Sequence, residues 1–160
     1  MPKRYWLFKS EPTTYSFEDL VRDGQTEWDG VRNFQARNML RDEMKAGDGV
    51  LFYYSSTKPQ AVVGTAAIVK EGHPDDTAWD PKSAHPDLKS TRENPIWYVV
   101  DIAPVERFAR SVTLEEMKQA PGLEKMMVIQ RGARLSVQPV TEEEFEIVRK
   151  LGQPQPVSGS

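Results

Sequence analysis

The chain has 160 residues, with 21 Lys and Arg against 24 Asp and Glu and a net charge of -3 at neutral pH; this size suits one domain with its own hydrophobic core. The near-balanced charge excludes a protein that coats nucleic acid by diffuse attraction, so any nucleic-acid site must be local. The lack of cysteine excludes disulfides, a thiolate nucleophile and Cys-based zinc sites; with no stretch near the ~18 apolar residues of a membrane span and no long apolar run after the basic start MPKRYWLFKSEP, a soluble, intracellular, cytoplasmic protein is expected.

Residues 4–9, RYWLFK, predict a short aromatic strand. After the turn SEPTTY, a helix runs from Ser16 to about Arg22, with Ser16 and Asp19 approximating a capping box and Gly24 as its stop. A second helix over 34–45 buries Ala36, Met39, Leu40 and Met44 and ends before Gly47. The runs 49–56 and 61–72 predict a hairpin, with Gly64 marking a bulge or a close backbone approach. Residues 73–95 carry four prolines and no apolar period, which predicts a long surface loop. IWYVVDIAPVERF at 96–108 reads as a strong strand, bent or at an edge near Pro104. A helix beginning near Thr113, with a capping box to Glu116, should stop before Pro121. RLSVQPV at 134–140 predicts a strand, leading into a helix with Thr141 and Glu144 as a capping box and Gly152 as terminator. This sets the domain at residues 1–152 and leaves 153–160 as a mobile tail. Strands and helices mix without regular alternation, so the fold class is α+β: a small, partly closed mixed β-barrel of about five to six strands with peripheral helices.

The segment WDGVRNFQARN, 28–38, crowds Trp28, Asn33, Gln35 and Asn38 with Arg32 and Arg37. A stacking face, amides that both donate and accept, and planar guanidinium forks suit a flat polar ligand such as a nucleobase. The same Asn33 also reads as the N-cap of the second helix. Basic residues gather around this segment and the neighbouring blocks, at Lys3, Arg4, Lys9, Arg32, Arg37, Arg131 and Arg134. Trp6, Phe8, Phe52, Trp97 and Tyr98 lie in strand patterns and are expected mostly in the core. Trp79, in the long loop, is expected to pin that loop down.

YWLFKSEP at 5–12, YSFEDL at 15–20, WDGVRNFQARN, the MKAGDGVLFYYS run at 44–55, HPDDTAWDPKS at 73–83, WYVVDI at 97–102 and RLSVQPV together resemble the EVE domain family, in the same order. The resemblance covers nearly all of residues 4–151. It implies a fold like the PUA and YTH domains, built on a barrel-like mixed sheet, and a role in recognising a modified base in DNA or RNA. Such a base must be flipped or single-stranded, stacked on aromatic rings and read along its edge. The resemblance implies Trp28 as a stacking wall, Asn33 as a base-edge reader, and Val31 with Arg32 as main-chain and electrostatic lining. Lys9 and Ser10 would contact phosphate or the rim, and Tyr54 and Ser55 would flank the pocket, with Tyr54 standing where many members have His. Arg131 and Ser136 are further candidates, each also readable as a solvated strand residue. No cofactor and no metal is expected, and nothing points to a membrane.

Two other functions remain open at this level. His73 and His85 with Asp75, Asp76, Asp80 and Asp87 suggest a metal-dependent hydrolytic site in the loop, although HPD segments are also good turn formers. No Gly-rich phosphate loop, nucleophile elbow or H-E-x-x-H motif is present, and a non-enzymatic protein is expected. The acidic helix 141–151 and the tail would instead serve a protein-interaction module.

Overall fold

The computed structural model describes residues 3–157. At the heart of the fold, β1 (Tyr5–Ser10) pairs parallel with β3 (Gly49–Tyr54) and antiparallel with β6 (Val137–Val140). The hairpin predicted from the sequence is formed by β3 and β4 (Ala61–Pro74), and β4 continues onto β5 (Tyr98–Thr113). Two short strands, β2 (Thr26–Glu27) and β7 (Pro154–Pro156), both lie against β5. The sheet thus has seven strands in the order β2-β5-β4-β3-β1-β6, with β7 off this path. The partly closed barrel of fewer strands is corrected to an open sheet, since among the described residues no ladder joins β2 to β6. The two additional strands span two and three residues, too few for any hydrophobic period to announce them.

Both faces of the sheet are covered, which explains the nearly continuous apolar runs of β1 and β3. Trp6, Phe8, Val50 and Phe52 point to one face, packed with α1 (Phe17–Asp23) and with α2 (Phe34–Asn38), which continues as a π-helical turn over Met39–Glu43. Leu7, Leu51 and Tyr53 point to the other, against α3 (Leu114–Gln119) and α4 (Glu142–Gly152). The alternation of neighbours between two cores is the period of two of a β-strand. The expected bulge lies at Gly64, where the β4–β5 register shifts and an added Cβ would come within 2.6 Å of the Glu106 carbonyl and 2.7 Å of the Phe17 ring. The pairing also shifts beside Pro104, as its missing N–H requires.

The capping boxes of α1 and α4 form as read from the sequence. In α3 only half of the box is made: Thr113 accepts from the Glu116 N–H, while the Glu116 carboxylate turns to Arg110 at 2.8 Å. Gly152 is the last residue of α4 rather than its terminator, because Phe108 fills the space a Cβ would need there; Gln153 takes the left-handed cap instead. The chain after 152 is not a free tail over its first residues, since Pro154–Pro156 pairs with Glu106–Phe108 and Val157 N–H bonds the Val105 carbonyl. Residues 158–160 of the expected tail lie outside the described residues. The predicted loop 73–95 begins late, because His73 and Pro74 still pair with Val99 and Tyr98; a 3-10 turn follows at Asp76–Trp79.

Candidate functional site

A cleft of about 640 Å³ opens at the C-terminal end of β1, a volume within the usual range for small-ligand sites. Its walls come from four stretches: Lys9, Ser10, Glu11, Thr14 and Tyr15 as the chain leaves β1, Thr26–Arg32 from β2 onward, Ser136 before β6, and His85 from the long loop. Of the ten residues singled out from the sequence, Lys9, Ser10, Trp28, Val31, Arg32 and Ser136 meet here. The other four do not line it. Asn33 is exposed and caps α2, its Oδ1 accepting from the Ala36 N–H at 3.0 Å. The Tyr54 hydroxyl accepts from the Phe17 N–H at 2.8 Å and so holds the start of α1. Ser55 donates its N–H to the Ser10 carbonyl, and Arg131 is exposed on a turn.

Trp28 is only 9% exposed, because Phe8 and Phe52 pack on it at centroid distances of 5.3 and 5.6 Å. It is therefore the floor of the cleft more than a free stacking face. The half-buried Tyr15, edge-on to Trp28 at 6.4 Å, offers the more open ring. Ser10 is also partly committed, since its hydroxyl donates to the Tyr15 carbonyl and pins that ring's backbone.

The loop 28–32 is held by Asp75. This aspartate is 1% exposed and accepts from the Gly30 N–H at 2.9 Å, Arg32 Nη1 at 2.9 Å and the Thr77 N–H at 3.0 Å. Burial alone would raise its pKa, but the bonds from Thr77, Gly30 and Arg32 outweigh that and hold the carboxyl below its ordinary value. Arg32 also donates to the Val31 and His85 carbonyls, so the guanidinium is spent on joining the cleft loop to the long loop. The expectation that Arg32 supplies positive charge to the cleft is corrected accordingly: Asp75 neutralises it.

What remains is a cleft rich in acceptors. Burial lowers the pKa of Lys9, whose ammonium donates to the Ala133 carbonyl at 3.2 Å. Burial raises the carboxyl of Asp29, with His85 opposing, and burial followed by Asp101 and Asp76 raises that of Glu27. Tyr15, Asp29 and Glu27 were not singled out from the sequence, and His85 was read there as part of a loop hydrolytic site and not of this cleft. Tyr15 and Asp29 lie inside motifs already picked out, but nothing local places His85 in this cleft; the loop's fold brings it in from 53 residues beyond Arg32.

The loop's histidines and aspartates do not assemble as one hydrolytic centre. His73 stands on β4, with Nε2 2.8 Å from Asp101 and Nδ1 3.8 Å from Glu27. These three residues bring one possible ligand atom each within 4.8 Å of one another, a grouping among the described residues whose donor set could hold a cation. Asp80 and Asp87 accept from loop N–H groups, and Asp87 also takes the Trp97 indole N–H at 2.7 Å. Trp79 is not among the cleft residues; the Arg92 guanidinium of the same loop stands 5.1 Å from its ring centroid. In α4, Phe145 and Val148 are buried in the second core.

The family model of the EVE domain matches residues 4–151. Thymocyte nuclear protein 1 from Gallus gallus is 43% identical over 171 residues, spanning 95% of this chain and 70% of the relative. A protein from Pseudomonas syringae superposes with a TM-score of 0.87 at 46% identity, covering 92% of this chain and 98% of that one. Human THYN1 protein, solved in complex with 5-methylcytosine-containing DNA, superposes with a TM-score of 0.86 at 39% identity, covering 96% and 100%.

Proposed function

Because the chain belongs to the EVE domain family, we propose that the cleft at the end of β1 receives one modified nucleobase of DNA or RNA, such as a methylated or hydroxymethylated cytosine, and that the protein reads it without catalysing a reaction. The observation that carries this reading is the cleft itself: an aromatic floor and wall, Trp28 and Tyr15, beside a set of hydrogen-bonding groups, in a volume that suits one flipped base. The relative solved with 5-methylcytosine-containing DNA supports the ligand class. Within the cleft, Lys9, Ser10, Trp28, Val31, Arg32 and Ser136 form the site; Tyr15 is its stacking wall and Arg32 a positioning residue. Asn33, Tyr54 and Ser55 act from outside it, by holding the framework, and Arg131 stands apart on an exposed turn.

Extruding a base costs a few kcal/mol, and one aromatic stack contributes roughly 1–3 kcal/mol, so stacking alone about breaks even. Selectivity then rests on the base edge, because a methyl in an apolar pocket adds only about 1–3 kcal/mol. Among the described residues no helix is long and apolar enough to cross a membrane. A cytoplasmic site of action, or a nuclear one in a eukaryotic host, follows from the nucleic-acid ligand.

The test is a titration followed by tryptophan fluorescence, with short DNA and RNA, single-stranded and duplex, carrying plain, methylated or hydroxymethylated cytosine or methylated adenine. Saturable binding that prefers one mark and weakens about tenfold or more in a folded Tyr15→Ala protein is expected. No binding across the panel at low salt by a folded sample would overturn the reading.

A further inference from the structure

We propose that Asp29 reads the exocyclic amine of the bound base, so that the cleft accepts amino-bearing bases of the cytosine type and rejects thymine, although 5-methylcytosine and thymine carry the same methyl group. The inference rests on the reading of the cleft as a nucleobase site.

Asp29 follows the aromatic floor residue directly and lines the cleft. Its backbone is fixed on both sides: the Trp28 N–H bonds the Val100 carbonyl at 2.8 Å, and the Gly30 N–H bonds Asp75. Its side chain is 42% exposed, its carboxylate meets its own backbone N–H, and among the described residues no other residue donates a hydrogen bond to it. Behind it stands His85, whose Nε2 lies 3.7 Å from Oδ1. That nitrogen is itself buried without a partner, and the His85 ring lies so close over Gly30 that a Cβ there would meet it at 3.0 Å. His85 thus backs the carboxylate and leaves its exposed part to the cleft. Neighbouring aspartates are differently occupied: Asp75 holds Arg32 and Gly30, Asp87 holds Trp97, and Asp101 holds His73 and Gln25.

An ionised carboxylate only accepts hydrogen bonds. Cytosine presents its N4 amine as a donor, whereas thymine presents the O4 lone pairs at the same place, so the carboxylate attracts one and repels the other. Burial already penalises the charge of Asp29, and a donor arriving with the ligand relieves that penalty.

The experiment uses the full chain and competition titrations with oligodeoxynucleotides that differ at one central base: 5-methylcytosine, cytosine, thymine or N4,N4-dimethylcytosine. The intact protein should hold 5-methylcytosine about tenfold or more tighter than thymine, and dimethylation of N4 should remove that advantage. Asp29→Asn, whose amide can donate to O4, should bring the ratio of 5-methylcytosine to thymine affinity to about one or below it, with a thermal melt verifying its fold. An unchanged ratio in a folded Asp29→Asn, or equal binding of thymine by the intact protein, overturns the assignment to Asp29 while leaving the base reader in place. Should the variant fail to fold, the dimethylated base on the intact protein decides: undiminished binding rejects the amine contact. Failure of the intact protein to bind any of the four overturns this inference, while the base reader itself falls only if the wider panel of DNA and RNA marks also goes unbound.

Discussion

Replacing Asp75 by alanine should loosen the cleft more than any change within its lining. The carboxylate is 1% exposed and ties the cleft loop to the long loop through Gly30, Arg32 and Thr77. Its removal strands the Arg32 guanidinium, 22% exposed and with Nε already unpartnered, and orphans the N–H groups of Gly30 and Thr77. Breaking a buried pair by deleting one partner costs about 3–5 kcal/mol, chiefly the penalty of the uncompensated charge. At about 2–4 °C per kcal/mol for a chain of this size, the melting temperature should fall by about 6–20 °C. Urea denaturation of the single variants Asp75→Ala and Arg32→Ala and of the double variant would form a cycle. The double variant should be less destabilised than the sum of the two singles by about 1–3 kcal/mol, because the stranded charge is gone. A loss under about 1 kcal/mol in Asp75→Ala, or additive singles, would refute the view that this ion pair builds the cleft.

Asn33→Ala should cost about 1 kcal/mol of stability, the value of an N-cap, with little change in oligonucleotide affinity once folding is accounted for; a selective loss of binding would restore Asn33 as a base-edge reader. The carboxyl of Asp75 is held below its ordinary value, so its contribution to stability is complete above about pH 4 and is lost as pH falls through the lower folded value. Hydrogen exchange followed from pH 5 downward should therefore show the long loop opening below about pH 4, a step that Asp75→Asn should lack.

Much of the local structure was legible because it depends on neighbours in the chain. Ser16 with Asp19 and Thr141 with Glu144 form their boxes, since N-caps are satisfied within one turn. The apolar runs of β3 and β4 marked a hairpin and Gly64 its bulge, as burial on both faces demands. Glu116 was misread for the opposite reason: Arg110, six residues earlier on β5, competes for its carboxylate. The same holds for Gly152, whose role is set by the distant ring of Phe108, and for Pro154–Pro156, which has no period of its own and pairs only because β5 offers an edge.

The candidate site divides along this line. The sequence by itself determined that Trp28, Val31 and Arg32 lie in one short segment able to meet a flat polar ligand, because those residues are covalent near-neighbours. Tertiary structure alone decided what each does. Packing by Phe8 and Phe52 made Trp28 a floor, the need to cap α2 took Asn33 away, and Asp75 consumed the charge of Arg32. It also carried His85 to a place behind Asp29, across 56 residues of chain. A residue's chemistry is written in its side chain, but whether that chemistry is free to meet a ligand depends on which partners the fold brings within hydrogen-bond distance, and those partners come from anywhere in the sequence.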